Sequence, residues 1–179
     1  MVTSIILGMG LPTTAAYLIL ATVVAPALVK LGVPALTAHF FVFYYGCIST
    51  ITPPVALAAY VAGGIAGANI NKVGWTAAAY AITSFVLPFA FMFGPGLLLS
   101  GSILQNIVAV VTGFAGIGAV AAGVTGSLLQ PINALTRLVV GVSGLCLLIQ
   151  GPVTAAIGAV GLAVAFLLGR MKSNQVQNS

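Results

Sequence analysis

Lys30, Lys72, Arg137 and Arg170 divide this chain into four long stretches without a single charged side chain, residues 1–29, 31–71, 73–136 and 138–169. A helix needs about 20 apolar residues to cross a bilayer core of about 30 Å. Each stretch is therefore long enough to hold at least one crossing. No Asp or Glu occurs anywhere, and the fifth and last charge is Lys172. A soluble domain carries about 25% charged residues. With 3% charged and 61% hydrophobic residues, a water-exposed surface cannot be built, and an integral membrane protein is predicted. The runs contain Gly and Pro and exceed the roughly ten-residue alternating segments of barrel strands. The predicted fold class is all-α and polytopic.

The missing acids remove whole chemistries. No carboxylate can act as general acid or base, bind Ca²⁺ or Mg²⁺, or relay protons in the usual manner of pumps. Cys47 and Cys146 lie in separate apolar runs without metal-ligand spacing and read as free buried thiols. The net charge of +5 does not point to nucleic acid. Its residues stand at segment ends, where snorkelling and the positive-inside rule place them in a lipid bilayer. "MVTSIILGMG" has no basic n-region and is not a convincing signal peptide. It resembles the inside of a membrane segment, so the chain is read as the C-terminal part of something longer.

Residues 13–29 form one predicted helix of roughly 25 Å, with Pro12 suited to its first turn and "KLGVP" as a turn. A continuous helix over 35–68 would reach about 50 Å, too long for one span. "STITPPVA" interrupts it, because Pro53 and Pro54 donate no hydrogen bond and displace the residue before each. The expectation is a half-helix 36–48, a loop 49–53 and a half-helix 54–68, closed by "GANINK" at Lys72. Residues 74–99 form a third unit with a kink at Pro88 and Trp75 as an interface anchor. Residues 103–124 form a Gly/Ala-rich span suited to close helix packing. "TGSLLQPINALTR" is a polar connection, 138–149 and 153–168 are two further passes, and the tail 171–179 is polar and disordered. Placing Lys72, Arg137, Arg170 and Lys172 in the cytoplasm leaves Lys30 outside.

Two breaks carry the functional reading: "GMGLPTT" and "STITPP". Unwound backbone at membrane depth is tolerated only where it is buried in protein or lines a wet cavity. Transporters use such breaks to hold Na⁺ on carbonyls and to aim helix N-termini at anionic solutes. Carbonyls near Gly8–Leu11 and Ser49–Thr52 are expected to become free. Thr13, Thr14, Ser49, Thr50 and Thr52 add neutral oxygens. A helix N-terminus is expected after each break, at Pro12 and at Pro54. Such a Na⁺ site needs no carboxylate, and the positive net charge favours entry of an anion. On the residues alone, the ion site and a purely structural kink stand as alternatives.

The segment "LGMGLPTTAAYLILATVVAPALVKLGVPALTAHFFVFYYG…ISTITPPVALAAYVAGGIAGAN" resembles the large membrane subunit of tripartite ATP-independent periplasmic (TRAP) transporters. It is most similar to the fused permeases that work with TAXI-type binding proteins. "FVLPFAFMFGPGLLL" fits the same family. The resemblance covers about residues 3–100 and weakens over 101–170, where fused permeases carry extra C-terminal helices. It implies a Na⁺-coupled elevator transporter in a bacterial or archaeal cytoplasmic (inner) membrane, with two inverted repeats, each holding a hairpin and a broken helix. Residues 1–100 would belong to the second repeat, with Gly8–Thr14 as the hairpin tip. The implied ion-site residues are Gly8, Gly10, Pro12, Thr13, Ser49, Thr52 and Pro53, with Thr13 and Thr14 nearest the solute. The implied partners are a periplasmic substrate-binding protein, an organic anion, and the remainder of the permease, meaning its first repeat and small-subunit helices. The family's permeases are several times longer, so this chain alone is not expected to transport.

His39 reads as a packing histidine with a proton site or partner contact as the alternative. "FFVFYYG" (40–46) reads as packing and Arg137 as an interface or lipid-headgroup contact, while for Tyr17 and Tyr60, each about five residues after its break, closing over a solute stands as one of two even alternatives. Two other functions remain open at this level. One is an ion-coupled carrier of the same superfamily that needs no binding protein. The other is a non-transporting fragment or assembly subunit.

Overall fold

A computed structural model describes residues 1–126, 133–149 and 151–177. Among them every element is helical and no strand occurs. Two compact units divide the chain, Met1–Met92 and Phe93–Ser179.

The first unit runs α1 (Val2–Gly8), α2 (Thr13–Lys30), α3 (Ala35–Ser49), α4 (Leu57–Ile65), α5 (Ile70–Tyr80), a 3₁₀ segment (Ala81–Phe85) and α6 (Leu87–Phe93). α2 has the expected length and ends on Leu31, with Gly32 at φ +91 in the "KLGVP" turn. α3 also follows expectation within a residue at each end, while α4 and α5 depart from it. α4 begins at Leu57 rather than Pro54, because the loop after α3 closes on its own backbone. The Ala56 N–H donates to Thr52 O at 3.1 Å, and Ala56 sits in the left-handed region at φ 33. "GANINK" does not close a unit at Lys72 either. Asn69 caps α5 by accepting from the Lys72 N–H at 3.0 Å, so Lys72 lies in the first turn of α5.

The third predicted unit is also broken earlier than expected. Its interruption is the 3₁₀ segment Ala81–Phe85, and Pro88 is the second residue of α6 rather than a kink in a continuous helix. A first-turn proline loses no hydrogen bond, since first-turn N–H groups have no intrahelical partner. Among the described residues three segments are long and apolar enough to cross a membrane: Thr13–Lys30, Ile70–Phe93 and Ile103–Thr125.

The core of the first unit joins Ile5 of α1, Leu20 and Ala25 of α2, and Phe41, Val42, Tyr45 and Ile48 of α3. Phe41 meets Tyr45 and Phe89 edge-on at 4.9 and 5.4 Å, and the Tyr45 hydroxyl donates to Phe85 O at 2.6 Å. Many other buried positions are small, among them Ala16, Ala38, Ala56 and Ala59, while Leu18, Val23, Trp75 and Tyr80 face outward. Water would reverse that arrangement. In lipid the exterior is as apolar as leucine, so helices associate by close backbone approach over small residues.

The second unit contains a 3₁₀ segment (Pro95–Leu98), α7 (Ile103–Thr125), α8 (Ala134–Leu148) and α9 (Pro152–Gln177). α7 opens with a capping box between Ser102 and Gln105 and ends at Gly126. It meets α8 through glycines: a Cβ on Gly144 would stand 2.7 Å from Gly116 O, and one on Gly123 2.9 Å from the Gly141 Cα. The tail is a correction, since α9 runs on through Gln177. After Gly169 it meets no Gly or Pro, and Arg, Met, Lys and Gln are good helix formers. Residues 127–132 of the polar connection, Gln150 and the last two tail residues lie outside the described residues.

Candidate functional site

Both breaks exist, and they touch. α1 stops at Gly8 because Met9 turns to extended backbone (φ −61, ψ 131) and Gly10 follows at φ +75, where a side chain is disfavoured. Pro12 then caps α2 from outside its first turn. A Cβ on Gly8 would stand 2.7 Å from Ser49 Oγ and 3.5 Å from the Gly46 Cα. A Cβ on Gly10 would meet Val55 Cγ1 at 3.3 Å. The two glycines of the first break therefore let its backbone lie directly on the end of α3 and on the loop after it.

Ser49 is the last residue of α3 and fully buried, Pro53 is buried, and Thr52 is half-buried. The hydroxyls of Ser49, Thr50 and Thr52 donate to the carbonyls of Gly46, Cys47 and Ile48, each at 2.7 Å. This commits the protons and leaves oxygen lone pairs as the remaining polar capacity of all three side chains. The loop backbone is partly paired: Ser49 O accepts from Thr52 N, Thr50 O from Ala58 N, and Pro54 O from the Tyr60 hydroxyl at 2.8 Å. Among the described residues no N–H or O–H donates to the carbonyls of Gly10, Leu11, Ile51 or Pro53. The Pro53–Pro54 bond is cis. The left-handed Ala56 costs about 1–2 kcal/mol, and an alanine held there marks a loop whose shape its surroundings impose.

The structure thus brings Gly8 and Gly10 to Ser49 and the following loop. It does not tie the Thr13 or Thr14 hydroxyl to that loop. Both are exposed in the first turn of α2 and make no side-chain hydrogen bond among the described residues. The two tyrosines are not free lids. Tyr17 OH and His39 Nδ1 are 3.0 Å apart, joining α2 to α3, and Tyr17 also meets Phe43 edge-on at 5.5 Å. His39 is thereby a hydrogen-bonded packing residue. Tyr60 lies over α5, where a Cβ on Gly74 would come within 2.5 Å of its ring, and its hydroxyl satisfies Pro54 O. Tyr60→Phe should leave that carbonyl unpaired and lower stability by about 1 kcal/mol. Thermal unfolding in detergent reads this, and an unchanged midpoint would exclude Tyr60 as the loop's brace.

Sequence reasoning missed Val55, which touches Gly10, and Ser4. Ser4 stands one turn before Gly8 on the same face of α1, fully buried, and its Oγ has no partner among the described residues. The i, i+4 spacing of Ser4 and Gly8 was the available signal.

Residues 1–106, more than half of the chain and all of both breaks, match the family model for the tripartite ATP-independent periplasmic transporter, DctM component. The chain belongs to this family. No curated protein and no solved structure matches it. The DctM family is one of transporter permeases, and together with the apolar helices it makes this chain a multi-pass membrane protein. The matched region holds the whole first unit and ends within α7, so the α8–α9 part lies beyond it.

Proposed function

We propose that this chain supplies part of the transport site of a Na⁺-coupled TRAP-type carrier. The carrier would import an organic anion handed over by a periplasmic binding protein, of TAXI type, across a bacterial or archaeal inner membrane. The observation that carries this reading is the contact of Gly8 with Ser49, which puts two helix breaks against each other. A mere kink needs no partner break. Here the contact gathers lone pairs of Ser49 and Thr52 and the unpaired carbonyls of Gly10, Leu11, Ile51 and Pro53 in adjoining segments. Those are hard, neutral oxygen donors, the chemistry that replaces a hydration shell around Na⁺.

The N-termini of α2 and α4 follow the two breaks and favour a negative group nearby. Thr13 and Thr14, with exposed hydroxyls at the first of these, are the residues for the solute, and Thr13 also adds an oxygen to the ion site. A bound Na⁺ raises the affinity for an anion beside it, and by linkage the anion raises the affinity for Na⁺. That mutual effect is the basis of symport. In this reading residues 1–100 act as the second-repeat part of the transport domain and 101–170 are additional helices. The first repeat and small-subunit helices come from the rest of the permease, against which the mobile part moves.

The deciding experiment is uptake by proteoliposomes holding the complete permease with its binding protein. Uptake should require an inward Na⁺ gradient and vanish when K⁺ replaces Na⁺ or the binding protein is omitted. Na⁺-independent uptake would overturn the ion assignment. Uptake without the binding protein would instead identify a self-sufficient carrier of the same superfamily.

A further inference from the structure

At the start of α8, Arg137 reaches back to the end of α7. Its Nε donates to Gly123 O at 3.1 Å and its Nη2 to Val124 O at 2.6 Å. Gly126 ends α7 at φ +75, and a Cβ there would stand 3.1 Å from Cζ, Nε and Nη1 of Arg137. The guanidinium is thus pinned against the helix end. The C-terminal carbonyls of α7 favour a cation, but they are dipoles and carry no net charge. Nη1 donates to no oxygen among the described residues. The chain has no Asp or Glu, so none of its side chains can neutralise Arg137.

The same guanidinium lines a groove of about 460 Å³ between α7 and α8. Val120, Val124, Leu138, Gly141, Val142 and Leu145 form most of the remaining wall. An apolar slot with one fixed, uncompensated cation matches a molecule with an anionic head and a hydrocarbon tail. A small free anion would leave the apolar wall uncovered, and a zwitterionic lipid would leave the charge unbalanced.

We propose that this groove is a binding site for an anionic phospholipid. Its phosphate accepts from the N–H groups of Arg137 that have no acceptor among the described residues, and one acyl chain lies along Gly141 and Val142 in the groove beside α7 and α8. Helix capping holds the guanidinium in place before the lipid arrives, so little side-chain freedom is lost on binding.

The test uses the whole chain in phosphatidylcholine nanodiscs with a trace of phosphatidylglycerol carrying a photoreactive acyl chain. Labelling should concentrate on residues 120–124 and 138–145. Arg137→Gln should reduce it about fivefold, as expected for one cation at a lipid headgroup. Because Arg137→Gln also removes a helix cap, Gly141→Leu provides a second arm. A Cβ on Gly141 meets nothing within 4 Å, so a leucine side chain starts into the open groove, and labelling should fall while the thermal transition stays. Labelling spread evenly over the apolar helices, equal labelling by a phosphatidylcholine probe, or persistence in Gly141→Leu would overturn the site. Loss in Gly141→Leu without loss in Arg137→Gln would overturn the headgroup assignment.

Discussion

Gly8→Val should sharply reduce Na⁺-driven uptake by the complete permease. A Cβ at this position would stand 2.7 Å from Ser49 Oγ and 3.3 Å from Ser49 Cβ. Ser49 cannot swing aside freely, because its hydroxyl is bonded to Gly46 O at 2.7 Å and its side chain is fully buried. The strain must therefore move α1 away from α3, at about 1–3 kcal/mol for overpacking. Moving α1 draws the Gly10–Leu11 carbonyls away from the second break. Uptake should fall at least about tenfold, the cost of roughly 1.4 kcal/mol in the productive arrangement. The double variant Gly8→Ala with Ser49→Gly separates packing from chemistry. It restores the space but not the hydroxyl, so thermal stability should recover while Na⁺ dependence stays impaired. Full uptake by Gly8→Val would show that the contact between the breaks is dispensable.

Thr13→Ala combined with Ser49→Ala should raise the Na⁺ concentration for half-maximal uptake at least about tenfold. Oxygen contacts to a charged partner are worth about 1.5–3 kcal/mol each, and the pair removes one from each break. The folding cost falls on Ser49, whose buried hydroxyl is a donor to Gly46 O, at about 1–3 kcal/mol. Thr13 adds none, being exposed and without a side-chain hydrogen bond among the described residues. Uptake titrated against Na⁺, with unfolding measured on the same preparation, distinguishes the two effects. An unchanged Na⁺ response would remove both residues from the ion site.

The helices of this chain were legible where one local cause dominates. Thr13–Lys30 follows from an uncharged run between Pro12 and a Gly32 turn, and Ile103–Thr125 from a Ser102 cap and an uninterrupted apolar stretch. Both breaks were visible because Gly10 and Pro12, and the pair Pro53–Pro54, crowd helix-disfavouring residues together, whereas the lone Pro26 is carried inside α2. Their contact was not. Nothing in the order of residues pairs Gly8 with Ser49, which are far apart in the chain and meet only through the packing of α1 on α3. The late start of α4 depends on hydrogen bonds that the loop makes with itself, from Ala56 to Thr52 and from Ala58 to Thr50. The 3₁₀ segment at Ala81–Phe85 escaped notice because it contains no Gly or Pro, and the visible Pro88 drew the break to itself. Tyr60 looked like a lid from its spacing alone. Its two fixed neighbours, Pro54 O and Gly74, come from a turn and a helix whose placement depends on the whole unit.

The small interior of this protein turns the usual logic of mutational tolerance inside out. At Gly8, Gly46, Gly74, Gly116 and Gly144, a single added methyl group would meet an atom within 3.2 Å, whereas Leu18, Val23 and Phe114 are among the bulky residues left outside. Variation among relatives would therefore run through the large side chains and halt at the smallest ones. A scoring scheme that equates bulk with the core would find Phe41 and Tyr45 but pass over these glycines.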